Sequence, residues 1–203
     1  DAFVDGLTVS VSKGTWIHLG GNPIEVTATG TLYGPFDEQP TEADTPPAGA
    51  PVAGVETVTL TGAGSYTSPG TIVASESGFY TWVWSIDKTA HGQNAKYLTD
   101  SFTDRFGQVT ETSVVPFQPE AVSKADQRLA VPGDALTDTI TVSSSNGAWL
   151  KKDGAHIPVV FEGTVYQVPG TLPPAQNTGI DPNAVPLGTV TVTADGPGVY
   201  TSP

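Results

Sequence analysis

The sequence predicts an all-β protein built from immunoglobulin-like β-sandwich repeats in tandem. Three observations support this prediction. Segments rich in Thr, Val, Ile, Tyr and Trp alternate with a period of two. Turn-forming residues separate them, since the 203 residues include 23 Gly and 18 Pro. The beginning of the chain also recurs in its second half.

The alternating pattern predicts a series of strands in each half of the chain. In the first half we expect strands at 7–12, 15–19, 24–33, 55–61, 71–74, 78–87 and 106–115. In the second half we expect strands at 138–143, 148–150, 157–166 and 189–193. Segment 78–87 gives the strongest signal, because aromatic residues lie on both of its faces. Seven strands with turns between them are typical of an immunoglobulin-like sandwich.

The internal repeat sets Asp1 against Asp134 and has a period of about 133 residues. At this offset Gly14-Thr15-Trp16-Ile17 matches Gly147-Ala148-Trp149-Leu150, and Gly30-Thr31-Leu32-Tyr33 matches Gly163-Thr164-Val165-Tyr166. Further on, Val58-Thr59-Leu60-Thr61 matches Val190-Thr191-Val192-Thr193, and Tyr66-Thr67-Ser68-Pro69 matches Tyr200-Thr201-Ser202-Pro203. We therefore expect a first repeat at 1–117, a Pro-bearing junction at 118–133, and the N-terminal half of a second, truncated repeat at 134–203.

Composition and motifs exclude several classes of function. A formal net charge of −13 repels phosphate backbones and so argues against a nucleic-acid partner. No apolar run is long enough for a membrane span. The absence of Cys excludes disulfides and thiolate zinc sites. We find no phosphate-binding loop and no nucleophile elbow. We therefore expect no enzymatic activity, no cofactor and no defined metal site, although calcium at domain junctions remains an alternative.

Four segments resemble the repeat units of long Gram-positive, particularly actinobacterial, cell-surface adhesins. They are 78–84, 104–112, 136–142 and 162–166, and the stretch 121–142 resembles the opening of a further unit. Members of this family are similar to immunoglobulin-like stalk domains. The resemblance implies a structural shaft that presents a distal binding domain. It also implies secretion, attachment to the cell wall through other parts of the parent protein, and neighbouring repeats of the same polypeptide as partners.

Stalk domains of this kind often carry an internal crosslink between their first and last strands. A Lys–Asn isopeptide bond would need an Asn that the predicted last strand, 106–115, does not contain, whereas Gln108 is its one side-chain amide. A Thr–Gln ester between Thr8 and Gln108 is therefore the better candidate. Asp5, Asp104 and Glu111 are the nearby acids that burial could keep protonated. In the second repeat the corresponding candidates are Thr139 and Thr141.

The sequence departs from the ester pattern in two ways. Ester-forming repeats usually place a His just before the Gln, and here His91 lies far upstream; Gly6 also stands where the second repeat has Thr139. The second repeat lacks the closing strand that would supply its own Gln. The simpler interpretation is that Gln108 is an ordinary strand residue and that Thr8 contributes β propensity.

Two other classes of function remain open at this stage. The chain could be an adhesive module that binds a glycan or a host protein, through the long loop 34–54 or through Tyr33 and Phe36. It could also be an accessory β-sandwich domain of a secreted glycan-degrading enzyme. Solvent-exposed aromatic side chains would favour the adhesive module, and a catalytic domain in the parent protein would favour the enzyme.

Overall fold

The computed structural model describes residues 1–127, 129–169 and 179–203 and consists mostly of β-strands, which confirms the all-β prediction. The chain divides into two compact units. The first comprises Asp1–Gln118 and Asn146–Gly154, and the second comprises Pro119–Ser145 and Ala155–Pro203. No helix in the described ranges has both the length and the apolar character needed to cross a membrane.

The regular elements of the described residues are strands of two to eleven residues and two 3₁₀ segments. The strands are β1 (Gly6–Val9), β2 (His18–Leu19), β3 (Asn22–Pro23), β4 (Val26–Phe36), β5 (Val52–Leu60), β6 (Gly64–Thr67), β7 (Gly78–Ile86), β8 (Phe102–Thr103), β9 (Thr112–Val115), β10 (Pro119–Ala125), β11 (Asp138–Ser144), β12 (Lys151–Lys152), β13 (Ala155–His156), β14 (Val159–Gln167), β15 (Val185–Ala194) and β16 (Gly198–Thr201). The 3₁₀ segments are Lys88–Tyr97, which is interrupted at Gly92, and Val109–Glu111.

The first unit contains two main sheets around one apolar core. In the larger sheet β4 pairs with β5 on one side and with β7 on the other, and β7 also pairs with β8 and β9. The second sheet is the antiparallel pair of β1 and β6. The core is made of buried side chains from several of these strands and from the segments beside them, including Phe3, Val26, Leu32, Leu60, Tyr80, Trp82 and Trp84.

A strap crosses the first unit between β4 and β5. It consists of residues 37–51 and lies within the long loop 34–54 that the sequence predicts. Ala43 and Phe106 exchange two backbone hydrogen bonds of 3.0 and 2.9 Å, and Gln39 Nε2 donates to the carbonyl of Gly107 and to Thr112 Oγ1. Arg105 pairs with Glu42 and Asp44 of the strap. The strap therefore fastens onto the segment that leads into β9.

Several strand predictions are wrong in extent. Segments 7–12 and 15–19 are strands only over Gly6–Val9 and His18–Leu19. The segment 106–115 is not one strand, because Val109–Glu111 forms a 3₁₀ turn and only Thr112–Val115 continues as β9. Its first part bonds to the strap in place of a neighbouring strand. Segment 71–74 contributes only an isolated bridge between Ala2 and Val73, and segment 148–150 is not a strand. Short strands β6, β10 and β16 were not predicted, since Gly, Ser and Pro weaken their alternation.

The second unit contains a three-stranded sheet and a hairpin. The sheet has the order β10-β11-β16, and the hairpin pairs β14 with β15. Val142, Val192 and Ala194 are buried in it. Strand β10 lies within the segment 118–133 that was interpreted as a junction, and it pairs with β11 along its whole length. That part of the segment therefore belongs to the second unit.

Strand pairing makes the repeat visible in three dimensions and corrects one part of its alignment. Strands β1, β4, β5 and β6 correspond to β11, β14, β15 and β16. Val58 lies opposite Ala28, as Val192 lies opposite Phe161. Val58 is therefore equivalent to Val192, and the sequence match of Val58 with Val190 is wrong by two residues. A shift of two keeps every side chain on the same face, so the sequence pattern alone does not detect it.

Candidate functional site

The candidate site of the first unit is built around Asp5, the residue immediately before β1. Its main chain is fixed by Ser68, since Asp5 N donates to Ser68 Oγ at 3.0 Å and Ser68 N donates to Asp5 O at 2.8 Å. Its carboxylate Oδ2 accepts a hydrogen bond of 2.7 Å from Trp84 Nε1. The start of β1 thus carries an anchored carboxylate that is also bonded to β7.

Glu111 lies at the end of the 3₁₀ turn before β9 and shares the environment of Asp5. Burial, together with the Asp5 and Asp104 carboxylates, raises the pKa of Glu111 from 4.5 to about 7. Its Oε2 is buried and has no hydrogen-bond partner among the residues that the structure describes. Two ionised carboxylates cannot donate to each other, whereas a protonated Glu111 can donate to Asp5. The site therefore holds a carboxyl group that exchanges its proton near neutral pH.

Asp104 and Gln108 form the other side of the site. Asp104 N donates to the carbonyl of Trp84 at 2.8 Å, and Asp104 Oδ1 accepts from Gln108 Nε2 at 2.7 Å. The Gln108 amide also donates to the carbonyl of Arg105, and the carbonyl of Gln108 accepts from Thr112 Oγ1 at 2.7 Å. Gln108 is therefore held in place just before the 3₁₀ turn. It does not lie in a strand, whereas the sequence predicts that it does.

A cavity of about 620 Å³ lies beside these carboxyl groups. Asp5, Thr8, Trp84, Asp104 and Glu111 are among the residues that line it. The structure thus brings the three predicted acids and the predicted hydroxyl to one cavity. Gln108 does not line this cavity, and no hydrogen bond joins it to Thr8 in the parts of the chain that the structure describes.

The two hydroxyl candidates of the second unit have different surroundings. Thr139 Oγ1 donates to Asp126 Oδ1 at 2.6 Å, and Thr137 Oγ1 donates to Asp126 Oδ2 at 2.7 Å. These bonds hold the pKa of Asp126 below its usual value. Thr141 lies on β11 between Val122 and Val199 of the neighbouring strands and is exposed. The role of Asp126 as an acceptor for two hydroxyls was not predicted.

The residues named for the alternative functions also have defined positions. Tyr33 and Phe36 are partly buried, and both pack edge-on against Phe106, with ring centroids 5.7 and 5.8 Å from it. They therefore pack against Phe106, the residue to which the strap is hydrogen-bonded, and do not form an exposed aromatic surface. In the described ranges, no group of three or more His, Cys, Asp or Glu side chains is arranged to hold a metal ion.

The contribution of Trp84 to the site was not predicted from the sequence. A signal for it exists in the chain, because Gly30 interrupts an otherwise apolar and β-branched strand, and such a glycine often marks the close approach of another group. Gly30 lies directly opposite Trp84, and a Cβ at Gly30 would be 2.6 Å from Trp84 Cζ2. The glycine therefore allows the indole to reach Asp5.

Comparison of the chain with models of protein families, with curated proteins and with solved structures gives no match. The chemical properties of the site are therefore inferred from its own residues. It offers a protonatable carboxyl group, two further carboxylates, a fixed amide and a nearby hydroxyl.

Proposed function

We propose that the chain comes from the structural shaft of a Gram-positive cell-surface adhesin, comprises one immunoglobulin-like repeat and part of a second, and has no enzymatic activity. In this proposal the protein is secreted and reaches the cell wall through other parts of its polypeptide. Its partners are neighbouring repeats, and its role is to hold a distal binding domain away from the wall. Repeats of this kind contribute mechanically, because each one adds length and stability to a linear array.

One observation carries the proposal, namely that the two units share a hydrogen-bond pattern as well as a sequence pattern. Asp138 N donates to Ser202 Oγ and Ser202 N donates to Asp138 O, as Asp5 and Ser68 do in the first unit. Tyr200 Oη donates to the carbonyl of Gly196, as Tyr66 Oη donates to that of Gly62. Such detailed recurrence at the same strand positions is expected of tandem copies of one structural module.

The strand order supports the immunoglobulin-like part of the proposal. In that fold two antiparallel sheets pack face to face, and the second and fifth strands pair in one of them. Here β1 pairs with β6 in one sheet, while β4, β5, β7, β8 and β9 form the other. Strand β10, which pairs with β11, takes the position of the first strand in the second unit.

The Thr–Gln ester remains a prediction within this proposal. Its formation would join Thr8 Oγ1 to Gln108 Cδ, break the amide C–N bond and release ammonia, which carries away the hydroxyl proton. A carboxyl group with a pKa near 7, such as Glu111, can transfer that proton at neutral pH. An intact mass lower than the sequence mass by one ammonia would support the ester, and an unchanged mass would exclude it for this chain.

Single-molecule force spectroscopy on the whole chain tests the proposed mechanical role. We expect the first unit to unfold in one abrupt event. Without a crosslink, Asp1–Gln118 would release a length on the order of 400 Å. A bond between Thr8 and Gln108 would remove most of that extension, so the same traces also report on the ester. Gradual extension without a force peak would contradict a load-bearing role.

A binding assay on the same chain separates the shaft from the adhesive module. We expect no saturable binding to arrays of glycans or to extracellular-matrix proteins. Saturable binding that Tyr33→Ala or Phe36→Ala abolishes, in variants that remain folded by circular dichroism, would overturn the proposal in favour of the adhesive module.

A further inference from the structure

Strand β4 extends beyond the end of its neighbour β7. The register between the two strands ends with Thr29 opposite Ser85, and β7 itself ends at Ile86. In the described residues no strand pairs with this edge of Val26–Ala28, although β5 pairs with their other edge. Backbone groups that point to such an edge have no ladder partners and must be satisfied in another way.

Side chains take the place of the missing ladder partners. Three bonds reach this edge, since Ser85 Oγ donates to Thr29 O at 3.3 Å, His91 Nε2 accepts from Thr27 N at 2.8 Å, and Asn94 Nδ2 donates to Glu25 O at 3.3 Å. Residues 25, 27 and 29 are two apart, so their backbone groups point to the same edge of the sheet. His91 and Asn94 belong to the 3₁₀ segment Lys88–Tyr97, which we call the edge cover.

The edge cover is fixed at both of its ends. At its start the Asp87 carboxylate accepts from Thr89 N at 2.9 Å and from Thr89 Oγ1 at 2.8 Å. At its end Tyr97 and Leu98 pack against the apolar core of the first unit. The middle of the cover is held to β4 through the bonds of His91 and Asn94, and the bond of His91 is the shorter of the two.

The two hydrogen bonds of His91 define its protonation state. Thr27 N is a donor, so His91 Nε2 accepts from it with a free electron pair. The carbonyl of Asp87 is an acceptor, 2.7 Å from His91 Nδ1, so Nδ1 carries the single proton of a neutral ring. A second proton would occupy Nε2. It would remove the bond to Thr27 and leave the bond to Asp87 in place.

The charges near His91 do not reverse this effect. The charged residues of the cover, of its cap and of the position before β4 are Asp87, Lys88, Lys96 and Glu25. Hydrogen bonds from Thr89 lower the pKa of Asp87, which is therefore ionised and attracts a proton on His91. Asp87 begins the cover and accompanies the imidazole whether or not the middle is bonded to β4. Glu25 is exposed, where solvent and salt screen its charge, and Thr59, opposite Thr27 on β5, is uncharged.

We propose that Lys88–Tyr97 is a pH-sensitive cover for the edge of β4, fastened by the neutral imidazole of His91 and released from Thr27 when that imidazole is protonated. Imidazole takes up a proton in the range from about pH 8 to about pH 5. Release leaves the backbone groups of residues 25–27 exposed, and a strand edge of this kind can pair with another chain. The device is independent of the shaft role proposed above.

Nuclear magnetic resonance on the whole chain tests the proposal. At about pH 8 the nitrogen spectrum of His91 should show the tautomer with its proton on Nδ1. The protection of the Thr27 amide against hydrogen exchange, relative to its intrinsic rate, should fall at least about tenfold between about pH 8 and about pH 5. The Gly34 amide of the same strand donates to the carbonyl of Pro51 at 3.0 Å and should keep its protection.

Variants separate the imidazole from the rest of the cover. His91→Gln supplies an acceptor for Thr27 N that does not titrate, so the protection of Thr27 should become independent of pH. His91→Ala removes the acceptor, and protection should be low at both pH values. His18→Gln is the matched control and should change nothing at Thr27. His18 Nδ1 bonds to the carbonyl of Trp16 at 3.0 Å, and a protonated ring keeps such a bond.

Several results would overturn the proposal. A proton on Nε2 of the neutral ring would do so, as would equal protection of Thr27 at the two pH values. Both measurements need only the wild-type chain and do not depend on the folding of a variant. A pH dependence that persists in His91→Gln would assign the effect to another group. An equal fall in protection at Gly34 would show that the whole unit, and not the cover, responds to pH.

Discussion

The indole Nε1 of Trp84 donates a 2.7 Å hydrogen bond to the carboxylate of Asp5, 79 residues away in sequence. This bond joins β7, in the larger sheet, to the residue immediately before β1, which belongs to the smaller sheet. It also satisfies one oxygen of a carboxylate that lies beside the partly buried Glu111. The interior of the first unit is therefore organised by a polar contact as well as by apolar packing.

Replacing this indole should destabilise the first unit measurably. Trp84→Phe removes the donor and leaves the Asp5 carboxylate without it, and we expect a loss of about 1–3 kcal/mol in the free energy of unfolding. Trp82→Phe is the matched control, because the neighbouring indole makes no side-chain hydrogen bond to a described residue. Urea unfolding measures both variants. An equal loss in the two would show that packing, and not the bond to Asp5, determines the effect.

The pKa of Glu111 predicts how stability depends on pH. Because burial and neighbouring carboxylates raise its folded-state pKa from 4.5 to about 7, the folded protein holds this proton more tightly than the unfolded chain. The resulting contribution to stability is complete below pH 4.5 and is lost as the pH rises through about 7. We expect the free energy of unfolding from urea titrations to fall between pH 5 and pH 8.

Glu111→Gln isolates this effect from other sources of pH dependence. The amide stays neutral at every pH, so the variant should lack this part of the decline and should exceed the wild type in stability at pH 8. The free energy of unfolding of Glu111→Gln, relative to that of the wild type, should therefore increase from pH 5 to pH 8. A difference that is constant with pH would mean that Glu111 titrates near its ordinary pKa.

The two equivalent glycines should respond oppositely to the same substitution. Gly30→Ala places a methyl group 2.6 Å from Trp84 Cζ2, and we expect it to destabilise the first unit by about 1–3 kcal/mol. Gly163→Ala meets only Val190 Cγ2 at 3.7 Å and should be neutral or slightly stabilising, since alanine reduces the entropy of the unfolded chain. Thermal unfolding of both variants measures these changes in stability. Similar effects at the two positions would contradict the assigned difference in packing.

The strap should open when its backbone bonds to Phe106 are weakened. Ala43→Pro removes the N–H that donates to Phe106 O at 3.0 Å, whereas Ala43→Ser retains it. We expect limited proteolysis to cleave residues 37–51 faster in the proline variant and at the wild-type rate in the serine variant. Equal cleavage rates in all three proteins would show that the side-chain contacts of Gln39 and Arg105 are sufficient to hold the strap.

The sequence predicts three of the long strands well, because their residues reflect burial directly. Strand β4 has buried residues at intervals of two, and β7 carries aromatic residues on both faces and is buried on both. The predicted limits of β4, β7 and β14 differ from the observed ones by only a few residues. The strap and several of the short strands, among them β6, β10 and β16, were not predicted, because they are stabilised by long-range backbone bonds that leave no local pattern. The bond between Ala43 and Phe106 is an example.

The candidate site could be predicted only in part. Asp5, Asp104 and Glu111 were selected because they lie near the first and last strands, and the structure places them around one cavity. The orientation of Gln108 toward Asp104 depends on the 3₁₀ turn that follows it, which has no sequence signal of its own. The contact of Trp84 with Asp5 depends on the register of β4 and β7 at Gly30, which the sequence suggests only through the glycine.

The distribution of tryptophan has a practical consequence for these measurements. The chain has four Trp residues, Trp16, Trp82, Trp84 and Trp149, and all of them belong to the first unit. Their emission therefore follows the unfolding of that unit, while the second unit is silent to this probe. Far-ultraviolet circular dichroism records the strands of both units. Two transition curves that fail to coincide would show that each unit loses its structure independently.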